Sequence, residues 1–219
     1  MIENHLTQSA EIAREIYGAK FPVINRYVDI LRTTAVEWGL LGPREAERLW
    51  DRHVLNSAAL SELIAADSAV ADVGSGAGLP GIPLAIVRPD LRVTLIEPLL
   101  RRSTFLTQAV EELQISDRVE VVRSRAEDHQ QTYDVVVARA LAPLDRLIGW
   151  CNPLRAPGGV ILALKGSSVA DELAAAGQQL EAAQLEAEVL KVGAHSDVEP
   201  ATVVRLHNAD ERRLPPGRP

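Results

Sequence analysis

Asp72-Val73-Gly74-Ser75-Gly76-Ala77-Gly78-Leu79-Pro80-Gly81 is the stretch whose reading decides the fold. It follows a short apolar run, Val70 to Val73, and opens a second one, Ile82 to Val87. In a doubly wound α/β sheet, glycines after the first strand let the backbone pass close under a nucleotide-like ligand. A dinucleotide fingerprint, G-x-G-x-x-G, requires its third glycine where this chain has Leu79, so that reading fails. What remains is an acid ending the strand, Asp72, followed by three alternate glycines, Gly74, Gly76 and Gly78. Working outward, Glu97 ends the next candidate strand, 21 residues after Gly76. An acid at that place accepts both hydroxyls of an unphosphorylated ribose.

The rest of the chain has the same rhythm. Apolar runs at Val70–Val73, Arg92–Ile96, Val119–Val122, Tyr133–Ala138, Val160–Leu164, Glu186–Val192 and Thr202–His207 read as strands. Helical stretches at Ile82–Val87, Leu99–Gln114, Leu144–Trp150 and Val169–Ala183 lie between them. Strands spaced by helices predict a mostly parallel sheet. Only a turn near Gly193 to Pro200 separates the last two strands, which predicts an antiparallel final pair. The spacing of Ile12, Ile16 and Tyr17, then Ile24, Tyr27, Val28 and Leu31, predicts N-terminal helices. A further helix is predicted over Arg44–Ala66. The organisation expected is a helical extension (1–66), a Rossmann-like domain (67–208) and a disordered tail (209–219).

Hydrophobic residues at 47% and charged residues at 24% exclude a disordered, fibrous or disulfide-scaffold protein. No apolar stretch approaches the roughly 20 residues that cross a bilayer, and the N-terminus lacks a basic and apolar leader pattern. The expectation is a cytoplasmic protein without a membrane partner. The single cysteine, Cys151, excludes an internal disulfide and reads as a small buried hydrophobe. The five histidines form no metal-ligand spacing, so no metal is expected. Net charge is −7, from 23 bases against 30 acids, and no segment is basic. Twenty of the bases are arginine, which suits bidentate phosphate or guanine contacts but does not by itself select them.

Further candidates stand at the carboxyl ends of later strands, where open α/β sheets bind ligands. Ser124-Arg125-Ala126-Glu127-Asp128 follows the third strand; Glu127 or its backbone reads either as an adenine contact or as a helix-terminal acid. Arg139 ends the fourth strand, aimed at the site. Lys165 ends the fifth at the same rim.

The alternate glycines after an acid resemble the S-adenosylmethionine loop of the Rossmann-like class I methyltransferases. More narrowly, Val73 to Leu84 resembles the VGTGPGLPGIPL-type loop of the 16S ribosomal RNA small-subunit methyltransferase G family, also called glucose-inhibited division protein B. The GLPGIP extension is far more specific than the glycines. The family's S-R-x-E element appears as Ser124 to Glu127, its strand-four arginine as Arg139 before Ala140, and its L-K-G as Leu164 to Gly166. Its R-H-x-x-D-S element appears as Arg52 to Ser57 with Asn56 in place of the acid, and its N-L-T is absent from Leu31 to Thr34.

The resemblance implies a cytoplasmic enzyme that moves a methyl group from S-adenosylmethionine to nitrogen-7 of one guanine in 16S ribosomal RNA. It implies donor contacts from Gly74, Leu79, Ala126, Glu127 and Arg139; Asp72, Gly76, Gly78 and Glu97 join them by position. Nitrogen-7 carries a free lone pair, so no general base is expected. Arg139 is expected to act by positioning or electrostatics, on the donor's carboxylate or on the guanine carbonyl. Arg44, Arg48, Arg52, His53 and Lys165 are candidate RNA contacts. The first three are four apart and would share one helix face, which reads equally as a solvated face given Glu45 and Glu47. The partner expected is 16S ribosomal RNA within the small ribosomal subunit, bound by a monomer. The alternatives are a small-molecule methyltransferase and a non-catalytic S-adenosylmethionine sensor.

Overall fold

Side-chain alternation along the strands sets two apolar faces. The computed structural model describes residues 2–42, 45 and 48–208, and the side chains of these except 2–8, 51 and 52. The strands are β1 (Ala69–Val73), β2 (Arg92–Ile96), β3 (Val119–Val122), β4 (Tyr133–Arg139), β5 (Arg155–Lys165), β6 (Leu185–Val192) and β7 (Ala201–Asn208). They form one sheet in the order β3-β2-β1-β4-β5-β7-β6. β1 to β5 are parallel, and β7 runs antiparallel to both β5 and β6. This is the mostly parallel α/β sheet with an antiparallel last strand that the spacing predicts. The order reverses between β1 and β4, where a doubly wound sheet opens its ligand crevice.

On one face, Val70, Leu95, Val135, Val137 and Leu162 pack with Ile24, Val28, Leu31, Leu49 and Leu55 of the N-terminal extension. The extension and the sheet therefore share one core. On the other face, Ala71, Val136, Ile161 and Ala163 pack with Leu144, Leu147 and Ile148. Alternation carries Asp72 and Arg139 to the first face, with the extension, and Lys165 to the second.

Arg88 ties the seam, donating to the carbonyls of Ser61 and Ile64 at 2.9 and 3.0 Å and to Asp90. That guanidinium holds the Asp90 carboxyl down at about 2. Cys151 is buried, and burial pushes its thiol up to about 12, as befits a packing residue.

Two expected helices are subdivided. In the part of Arg44–Ala66 described from Leu49 onward, the chain instead forms a π-helix (Leu49–Leu55), a short α-turn (Asn56–Ala59) and a 3-10 turn ending at Leu63. The Ser57 hydroxyl donates to the His53 carbonyl at 2.5 Å, competing with the regular backbone ladder. Val169–Ala183 is two helices, Val169–Ala175 and Gly177–Ala182. Arg44 and the tail 209–219 lie outside the described residues.

Candidate functional site

Three alternate glycines answer a stereochemical demand. Gly74, Gly76 and Gly78 all adopt left-handed backbone, with φ of +70°, +60° and +95°. There a Cβ would clash with the neighbouring carbonyl, so the chain needs glycine. The turn is held from three sides. From inside, Asp72 is fully buried and its Oδ2 accepts the Gly81 N–H at 3.0 Å. A Cβ on Gly81 would stand 2.8 Å from that same oxygen, so glycine at 81 is what lets the acid reach the backbone. Burial pushes the Asp72 carboxyl up to about 7. From β2, Glu97 is 1% exposed; Oε2 accepts the Gly76 N–H and Oε1 the Leu99 N–H, each at 3.0 Å. From the extension, the Tyr27 hydroxyl donates to the Ala77 carbonyl at 2.7 Å.

These residues suit an adenosyl group. An ionised carboxylate has about four acceptor positions, so Glu97 retains capacity for two ribose hydroxyls. Leu99 and Leu100, two and three residues after it, are exposed apolar side chains at 53% and 59%. Ala126 is buried and Glu127 exposed in the turn after β3. Leu79 is buried beside the glycines. The side chain that faces Gly74 is Leu141, from the loop after β4.

Beyond Arg139 the rim opens into a cavity of about 870 Å3 between the extension, the ends of β4 and β5 and the β6–β7 loop. Arg48, His53, Asn56, Arg139, Lys165 and Lys191 stand on its wall. Arg139 Nη2 donates to Nδ1 of His53, and His53 Nε2 lies 2.6 Å from Glu45 Oε2. His53 is only 4% exposed, so its ring is turned toward Arg139 rather than outward. Ala140, directly after Arg139, holds left-handed backbone at φ +50°. Such a conformation is costly for a residue with a Cβ and concentrates at functional sites.

Lys165 Nζ donates to the Ala142 carbonyl and to Glu172, both at 2.7 Å, with its side chain 8% exposed. Glu172 also accepts from the Leu144 N–H and Ser168 hydroxyl. Burial works against its charge, but the Lys165 ammonium outweighs that and lowers its pKa.

The cavity thus gathers Arg48, His53, Arg139 and Lys165 from the expected set. Arg48 sits in a turn ahead of the π-helix. Arg44 and the Arg52 side chain lie outside the described residues. Sequence reasoning missed Tyr27, Glu45, Leu141 and Glu172. Tyr27 looks like any apolar stripe residue, and the other three carry no motif.

Comparison with known proteins then places the chain. A family described as rRNA small subunit methyltransferase G matches residues 20–199. The chain belongs to the rRNA small subunit methyltransferase G family. Proteins named ribosomal RNA small subunit methyltransferase G are similar to it throughout the family's range. That of Nocardioides sp. is 50% identical over 208 residues, covering 93% of this chain and 83% of that protein. That of Salinispora tropica is 48% identical over 221 residues, covering 96% and 90%. Among solved structures, the S-adenosylmethionine-dependent methyltransferase SibL superposes with a TM-score of 0.57 at 17% identity, covering 75% of this chain and 57% of that one. A ribosomal protein L11 methylase from Lactobacillus delbrueckii subsp. bulgaricus gives 0.56 at 16% identity, covering 70% and 76%. Those two likenesses establish the class I methyltransferase fold of the family member described here.

Proposed function

We propose that this methyltransferase-family protein transfers a methyl group from S-adenosylmethionine to nitrogen-7 of a guanine in 16S ribosomal RNA of the small subunit. What supports the reading is the family's glycine loop at the end of β1, on the strand beside β4, whose following loop turns Leu141 to Gly74, while Arg139 at the end of β4 borders a cavity large enough for a splayed base. S-adenosylmethionine supplies, when bound, an electrophilic methyl group on a sulfonium. Glu97 grips the ribose, the turn from Gly74 to Leu79 carries the rest of the donor, and Ala126 and Glu127 flank the adenine.

Nitrogen-7 of guanine has a lone pair and no proton, so the chain needs no general base. Its task is alignment, bringing nucleophile and methyl carbon to about 3–3.5 Å in line with the departing sulfur. Arg139 serves that alignment from the border of loop and cavity, on the donor's carboxylate by preference. The nitrogen-7 edge is unreadable in the deep, narrow major groove of A-form RNA, so the guanine enters splayed from its stack. Arg48, His53 and Lys165 on the cavity wall are the candidate RNA contacts, with Arg44 and Arg52 added from the sequence alone.

The test is incubation of the protein with labelled donor and undermethylated small subunits, followed by mapping of the methylated base. Label on nitrogen-7 of one guanine supports the reading. Donor binding without transfer to RNA overturns it.

A further inference from the structure

We propose that His53, held by Glu45, is a positioning residue for Arg139, acting as a neutral imidazole with its proton on Nε2; this deepens the function proposed above and rests on it. The argument begins with donors and acceptors. A guanidinium carries only N–H donors and stays charged, so it cannot accept a hydrogen bond. Arg139 Nη2 meets Nδ1 of His53, which must therefore be the acceptor and carry no proton. A neutral imidazole then bears its proton on Nε2, where Glu45 Oε2 stands at 2.6 Å to accept it. One carboxylate thus selects the tautomer, and the tautomer selects the position of the arginine.

The surroundings favour a built device. His53 is 4% exposed, on a π-helix, a form found often at functional sites. Its Ser57 neighbour accepts the widened backbone by bonding to the His53 carbonyl. Arg139 is the last residue of β4, and Ala140 turns the chain immediately after it. The backbone fixes where the arginine begins, and His53 fixes where its guanidinium ends. In this arrangement Glu45 and His53 work through Arg139 rather than on the reacting atoms.

Two measurements test this. In the wild-type protein labelled with 15N-histidine, long-range NMR correlations read the tautomer of His53 directly. The expected pattern is a protonated Nε2 and a bare Nδ1, with the Nδ1 resonance moving in Arg139→Ala. A protonated Nδ1 at pH 7.5 overturns the proposal, whatever the enzyme's activity. In the second, donor affinity and kcat are read separately for His53→Ala and His53→Asn. The alanine variant should lose roughly tenfold or more in one of them, on the scale of a charge-assisted hydrogen bond. Asparagine, whose Oδ1 replaces Nδ1 as acceptor, should recover most of that loss. A merely structural histidine predicts no such recovery. Equal losses in both variants, or none in either, overturn the positioning role. If wild type itself moves no methyl group to small subunits, the proposed function fails, and the tautomer result still decides the Glu45–His53–Arg139 arrangement.

Discussion

The hydroxyl of Tyr27 donates to the carbonyl of Ala77 across 50 residues of sequence, joining the N-terminal extension to the middle of the glycine loop. The extension is thereby part of the candidate donor site and not an appendage. Tyr27 is buried, and its oxygen also stands 3.0 Å from where a Cβ on Gly78 would be. Tyr27→Phe should cost about 1–2 kcal/mol, the range for leaving a buried carbonyl without its donor. The chemical-denaturation midpoint should fall accordingly, and calorimetry should show weaker donor binding as the loop loosens.

Gly81 and Gly76 call for opposite explanations of the same substitution. A Cβ at Gly81 meets Asp72 Oδ2 at 2.8 Å and the Leu95 side chain, in a fully packed place. Gly81→Ala should cost about 2–3 kcal/mol, as overpacking does, and should detach Asp72 from the Gly81 N–H. At Gly76 the nearest atom is 3.8 Å away, so only the left-handed backbone resists. Gly76→Ala should cost about 1 kcal/mol. Urea titrations of the two variants side by side read the difference.

Asp72 makes stability fall with rising pH. Burial raises its carboxyl from 3.8 to about 7, so between those values the folded state holds a proton that the unfolded state has released. Its contribution is therefore most favourable below about pH 4, declines through the window to pH 7 and is flat above it. Asp72→Asn keeps an acceptor for Gly81 without a charge. Relative to that variant, wild type should lose stability steadily from pH 4 to 7, by roughly 1.4 kcal/mol per unit at most. Urea midpoints across that range supply the check; a constant difference would refute it.

Lys165 and Glu172 clamp the loop after β4 to the end of β5. Lys165→Met leaves Glu172 charged without its only cationic partner among the described residues, and should destabilise by about 3 kcal/mol. The double variant Lys165→Met with Glu172→Leu should recover part of that, since no stranded charge remains. Thermal unfolding of the single and double variants measures the coupling.

The strands, the glycine loop and the acid at Glu97 were legible because each is local, although β5 begins at Arg155 and not at the expected Val160. Apolar alternation marks a strand wherever it packs, and left-handed backbone favours glycine irrespective of what lies opposite. The expected helix over Arg44–Ala66 was misread for the same reason in reverse: periodicity predicts an α-helix, while a tertiary demand on His53 and the Ser57 hydroxyl opened it into a π-turn. Of the face expected for Arg44, Arg48 and Arg52, only Arg48 is fully described, and it stands in a turn ahead of the π-helix. Lys165 was read as a rim residue; that it also ties to Glu172 and the Ala142 carbonyl was not legible, because both partners come from packing.

By itself the chain's order of residues determined a mostly parallel sheet, a turn of left-handed glycines and an acid at the end of the next strand, since steric limits on single residues and periods of two need no distant partner. Only the folded structure decided that His53 meets Arg139 across 86 residues and that Tyr27 reaches Ala77. Those pairings depend on how the extension lies across the sheet, and that is set by the summed burial of a shared core rather than by any neighbouring residue.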